Sequence, residues 1–178
     1  MRERWSPVLI AMFLLLAGPG LTQAGEALRP RLGVPLTPAE NAGWKINVFP
    51  DGRGLPEGRG TAKEGRAIYE AQCASCHGAK GEGHTADDLA GSTSPLNGPD
   101  PDKTIGTYWP YATTIFDMTR RSMPMQAPGS LTADQTYAVT AYLLFLNKIV
   151  AEDTVIDKTS LPQVKMPNRD GFDRIDAE

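Results

Sequence analysis

The chain has 178 residues, 40% of them hydrophobic and 22% charged, which suits one compact domain with additional arms and argues against wholesale disorder or a multi-span membrane protein. Lys and Arg number 18 against 21 Asp and Glu, a net charge of −3, so the basic surplus of a nucleic-acid binder is missing. Only 2 Cys and 2 His are present, which excludes a multi-cysteine disulfide scaffold and a His-rich metal cluster.

The first segment reads as an address. Arg2 and Arg4 precede an apolar run from Val8 to Ala17, too short for a spanning helix of ~20 residues but suited to a signal h-region. Gly18, Pro19 and Gly20 break the run, and Thr22-Gln23-Ala24 offers small residues for cleavage after Ala24. An uncleaved anchor is the competing reading of the same run. The expectation is an exported, periplasmic chain with no stable membrane span once residues 1–24 are removed. Residues 25–60 then carry Pro30, Pro35, Pro38, Pro50 and Pro56 and no sustained apolar periodicity. Such a stretch builds no core of its own and reads as an extended arm, with Trp44, Ile46, Val48 and Phe49 as its docking residues.

Helical signals begin at residue 61. Thr61-Ala-Lys-Glu64 is a capping box, in which hydroxyl and carboxylate satisfy the first orphan amides. The helix predicted over 62–72 presents Gly65, Ile68 and Tyr69 on one side, and Gly65 and Tyr69 are expected to meet Tyr142 at a helix crossing. Residues 78–107, rich in Gly, Pro, Ser, Thr and Asp, read as loop. Pro110 suits the first turn of a second helix running to about Arg120, with Ile115 and Phe116 inward. Thr132-Ala-Asp-Gln135 opens a third helix to about Lys148, with an apolar stripe at Val139, Tyr142, Leu143 and Leu146. The predicted organisation is a small all-α domain over 61–149 with irregular arms at 25–60 and 150–178.

Cys73-Ala-Ser-Cys76-His77 follows the first helix, in the predicted loop, and uses both cysteines and one of the two histidines. C-x-x-C-H is the haem c attachment signature: two thiols add to the two vinyl groups of one porphyrin, and the next residue places an imidazole on the iron. A redox C-x-x-C needs a βαβ setting that this sequence lacks, and a zinc site needs ligands beyond His84. For the sixth iron position the candidates are His84, Met118, Met123, Met125 and Met166. His84 sits too close to His77 in a Gly-flanked loop, Met118 falls inside the second helix and Met166 in the tail. Met123-Pro124-Met125 lies between the second and third helices, where a loop closes over the other haem face, and Pro124 stiffens it. Met123 is preferred over Met125 on its Met-Pro context. Tyr108, Trp109 and Tyr111 are candidate propionate donors or packing partners of the ring, and Arg120 and Arg121 candidate propionate counter-ions. No catalytic acid, base or nucleophile stands out.

With Gly78, the Met123-Pro124 loop and the closing helix, residues 61–149 resemble a class I cytochrome c. Trp109-Pro-Tyr-Ala-Thr-Thr-Ile-Phe-Asp117, Arg121-Ser-Met-Pro124, Ala127-Pro-Gly-Ser-Leu131 and Ala138-Val-Thr-Ala-Tyr-Leu-Leu144 carry a narrower resemblance. Val164-Lys-Met-Pro-Asn-Arg-Asp-Gly171 and Leu36-Thr-Pro-Ala-Glu40 extend it into the arms. Together they are similar to the haem c subunit of periplasmic sulfite or sulfane dehydrogenases of the Sox sulfur-oxidation pathway. The resemblance implies a molybdopterin subunit as electron donor, a downstream cytochrome or oxidase as acceptor, Met123 as axial ligand, and arms that wrap the partner. Two other readings stay open: a free periplasmic carrier, and a haem enzyme or sensor with an open coordination site.

Overall fold

Three Thr-x-x-Glu/Gln boxes stand at helix starts in the computed structural model, which describes residues 33–44, 46–91, 96–99 and 101–172. The predicted export signal lies outside the described residues. The described residues from 42 to 172 form one compact unit, and those from 33 to 41 belong to another.

The first helix, α1 (Pro38–Trp44), falls within the stretch predicted as extended arm. Its cause was in plain view: the Thr37 amide and hydroxyl donate to Glu40 Oε2, 2.8 Å each, and the Glu40 amide donates to Thr37 Oγ1 at 3.3 Å. Pro38 takes the first helical position, where no amide hydrogen is needed. Helix α2 (Ala62–Gln72) opens on Thr61, which forms the reciprocal box with Glu64, and α5 (Ala133–Leu146) opens on Thr132 with Gln135. Between them lie α3 (Ala74–His77), a single turn, and α4 (Ala112–Ser122). Pro110 stands outside α4, whose N-cap is Tyr111, so that helix starts two residues later than predicted.

Helix α5 is the centre of the unit. The sequence stripe suggested an amphipathic helix, but every residue from Thr136 to Leu144 is buried, because α2, α4 and the flanking strand pairing cover all its sides. The expected crossing with α2 is present: Tyr69 and Tyr142 have ring centroids 5.2 Å apart, and Gly65 lies so close to α5 that a Cβ there would run into the Ala138 carbonyl. Phe116 of α4 packs against Tyr137 with ring centroids 4.5 Å apart and planes tilted by 45°.

The arms complete this core. Strand β1 (Arg59–Gly60) pairs antiparallel with β2 (Ile156–Asp157), Gly60 opposite Ile156. Leu55 from the N-terminal side, and Ile156, Leu161 and Met166 from the C-terminal side, are buried in the same cluster as Phe116 and Leu144. The Tyr137 hydroxyl donates to the Pro56 carbonyl at 2.9 Å, and the Val48 amide donates to Asp117 Oδ1 at 3.0 Å. Thus residues 46–60 and 150–172 pack onto the helical unit itself. Proline-rich composition hid this, since their burial depends on partners a hundred residues away.

Candidate functional site

The end of α2 sets the geometry of the two cysteines. The Cys73 amide still donates to Tyr69 O at 2.8 Å, while the Cys73 carbonyl accepts from the amides of Cys76 at 3.1 Å and His77 at 3.0 Å. Residues 73–77 therefore coil into α3 rather than the loop predicted, and thiols three apart on such a turn share a face. Gly78 ends the turn at φ +81°, a conformation that suits glycine. Its carbonyl is held by the Tyr69 hydroxyl at 2.9 Å. The two cysteines are not joined in a disulfide, and before attachment to any partner, burial, reinforced by neighbouring Cys76, pushes the Cys73 thiol up to about 11.

His77 is oriented by its backbone partner. Nδ1 lies 2.8 Å from the Asp87 carbonyl oxygen. A carbonyl only accepts, so Nδ1 carries the hydrogen, and in the neutral ring the lone pair is then on Nε2. This is the outer-sphere hydrogen bond that fixes the tautomer of a metal-binding imidazole.

Cys73, Cys76 and His77 line one mostly apolar cleft of about 320 Å³, a volume within the usual range of ligand pockets. Its walls come from Tyr69 on α2, Leu89 and Ile105 in the loops, and Ile115, Val139 and Leu143 on α4 and α5. Met118, Met123, Pro124 and Met125 line it as well. Met123 is the C-cap of α4, its amide donating to Thr119 O at 3.1 Å, and is half-buried. Met125 is 72% exposed. Met118, expected in core or on the surface, is partly exposed and borders the cleft. Met166 is buried in the core away from the cleft lining, and His84 is exposed.

Among the aromatic and basic candidates only Trp109 lines the cleft. The Tyr108 ring packs edge-on against Phe172 at 5.3 Å, and Tyr111 lies under the Arg169 guanidinium at 4.3 Å. Arg121 pairs with Asp117 four residues earlier. The two tyrosines are thus used for packing the tail onto the domain, and Arg121 for an ion pair within α4. Sequence reasoning passed over Asp87 because its contribution is a backbone carbonyl, which no side-chain pattern reveals. It passed over Leu89 and Ile105 because they sit in loops without periodicity.

Two thiols on one face of a turn, an imidazole with one free nitrogen and a thioether in an apolar cleft fit a covalently held haem. Among the described residues no group of three or more His, Cys, Asp and Glu is arranged to hold a metal ion alone.

The comparisons agree. A family model described as cytochrome c matches residues 62–147. Among solved structures, the sulfane dehydrogenase SoxCD from Paracoccus pantotrophus is 42% identical with a TM-score of 0.76, over 83% of this chain and 73% of that one. The comparison with curated proteins gives no match.

Proposed function

The chain belongs to the class I cytochrome c family and carries covalently attached haem c for electron transfer, and we propose that it is the monohaem electron-accepting subunit of a periplasmic molybdenum-dependent sulfite or sulfane dehydrogenase. Cys73 and Cys76 would form the two thioether links to the haem, and His77 Nε2 and Met123 would hold its iron. The observation that supports this is the shared cleft, in which both thiols, the oriented imidazole and Met123 meet. Met123 is favoured over Met125 because it is tethered to the end of α4, whereas Met125 is largely in solvent. The bound haem supplies one-electron exchange. The chain's residues would hold it, offer it an apolar wall of Leu89, Ile105, Ile115 and Leu143, and orient the imidazole through the Asp87 carbonyl. A thioether in the sixth position favours the ferrous state relative to a second imidazole.

Electrons arrive one at a time from the molybdenum subunit and leave to a downstream cytochrome or oxidase. The SoxCD similarity supports that partner. The test is capture of the tagged, haem-loaded protein from its native periplasm, with molybdenum assayed in the eluate. Co-elution of molybdenum with a larger polypeptide, and haem reduction on adding sulfite or a sulfane donor, is expected. A lone cytochrome that stays oxidised with both donors would leave the second reading, a free periplasmic carrier. That alternative gains support from the packing of residues 46–60 and 150–172 onto the domain's own core, which lets these segments be ordered without a partner.

A further inference from the structure

Asn147 ends α5 as its C-cap, and one carboxamide there ties three segments together. Its Oδ1 accepts from the Gly106 amide at 3.0 Å. Its Nδ2 donates to the Leu89 carbonyl at 3.0 Å and to the Leu143 carbonyl at 2.8 Å. An amide N–H only donates and a carbonyl only accepts, so this orientation of the carboxamide is the one the surroundings allow. The Leu89 carbonyl also accepts from the Ile105 amide at 3.2 Å. A Cβ at residue 106 would stand 2.6 Å from Asn147 Oδ1, so glycine there is what lets the loop reach the side chain.

Leu89, Ile105 and Leu143 all line the cleft, and Asp87, two residues before Leu89, supplies the carbonyl that orients His77. We propose that Asn147 is a positioning residue for the haem pocket: it locks the two loops that form the cleft wall to the end of α5, and through Leu89 it holds the Asp87 carbonyl against His77 Nδ1. The proposal rests on the haem reading above. A loosened pocket would leave haem attachment intact while freeing the imidazole's hydrogen-bond partner.

The test is hydrogen exchange by NMR on full-length, haem-loaded, ferrous protein, with covalent haem verified beforehand from the pyridine haemochrome of the wild type. Absence of that spectrum would overturn the haem reading, a separate failure. In Asn147→Ala, exchange of the Gly106 amide and of His77 Nδ1–H is expected to speed up on the order of tenfold, the size of one lost hydrogen bond, while the Phe116 amide in α4 changes less than about twofold. Asn147→Asp keeps an acceptor for Gly106 but no donor for Leu89. Gly106 is then expected to stay protected while His77 Nδ1–H exchanges faster. Uniform acceleration at all three protons, or none, would overturn the proposal. Should Asn147→Ala not accumulate, the Asp variant decides alone: a split between Gly106 and His77 supports the role, and no split overturns it.

Discussion

At the scale of single residues, the choice between Met123 and Met125 turns on tethering. Both side chains border the cleft, but Met123 is half-buried, with its backbone fixed by the hydrogen bond that closes α4, and Met125 is mostly in water. An axial thioether must give up its rotamer freedom, a cost of up to ~2 kcal/mol for methionine, and a side chain already confined gives up less. Met123→Ala is therefore expected to produce a high-spin ferric spectrum and a ferrous form that binds CO. Met125→Ala should keep the low-spin spectrum and exclude CO. Absorption spectra of the two haem-loaded variants check this, and the reverse pattern would move the ligand to Met125. CO binding by the wild type would favour the open-site enzyme or sensor instead.

At the scale of elements, the helix crossing is set by an absence of side chain. Replacing Gly65 by Ala improves intrinsic helix propensity by up to ~1 kcal/mol, yet the new methyl meets the Ala138 carbonyl of α5, a backbone atom that cannot rotate aside. Overpacking costs of ~1–3 kcal/mol or more then win, so Gly65→Ala is expected to lower the urea midpoint. Thr61→Ala should lower it more modestly, by about 1 kcal/mol of stability, through loss of the box with Glu64. Elements of this kind were legible because their causes are local: Thr61 and Glu64, or Thr132 and Gln135, find each other within one turn. The same pattern at Thr37 and Glu40 was missed because the prolines around it outweighed it. The two-residue pairing of β1 with β2 carries no local signal at all, since Gly60 and Ile156 meet only after the chain has folded around α5.

For the molecule as a whole, the question is whether the arms belong to the domain or to a partner. Composition favoured the partner, because Gly and Pro make a segment costly to order, but composition does not register Leu55, Leu161 and Met166 as members of a distant core. Leu161 is fully buried, so Leu161→Ala is expected to cost about 2–5 kcal/mol in the isolated protein. A cost below about 0.5 kcal/mol by urea denaturation would mean that this segment is ordered only on a partner. The two cysteines and His77 by contrast stand out without any fold, since the haem attachment signature is a fixed local spacing, whereas the preference for Met123 over Met125 rests on the Met-Pro context and not on spacing.

The same burial fixes how the protein responds to alkali. Burial, the largest cause in each, raises the hydroxyls of Tyr69 and Tyr142 and pushes Tyr137 up to about 12, with Arg66 acting against it at Tyr142, whereas tyrosine in the unfolded chain titrates near 10. Tyr69 and Tyr137 also donate to the Gly78 and Pro56 carbonyls, bonds that an ionised oxygen cannot make. Above about pH 10 the unfolded chain has released protons that the native one keeps, so the native state binds more protons and stability falls as pH rises. For Tyr137 the loss runs between about pH 10 and about 12. Each such tyrosine contributes a slope of at most ~1.4 kcal/mol per pH unit. Urea midpoints of the haem-loaded protein are therefore expected to be insensitive to these groups up to pH 9 and to fall above pH 10. Tyr137→Phe removes one of the linked protons, and its midpoint should fall less steeply over that range, from a value already lowered by about 1 kcal/mol for the unpaired Pro56 carbonyl. An identical slope in the variant would show that Tyr137 ionises as freely in the native protein as in the unfolded one.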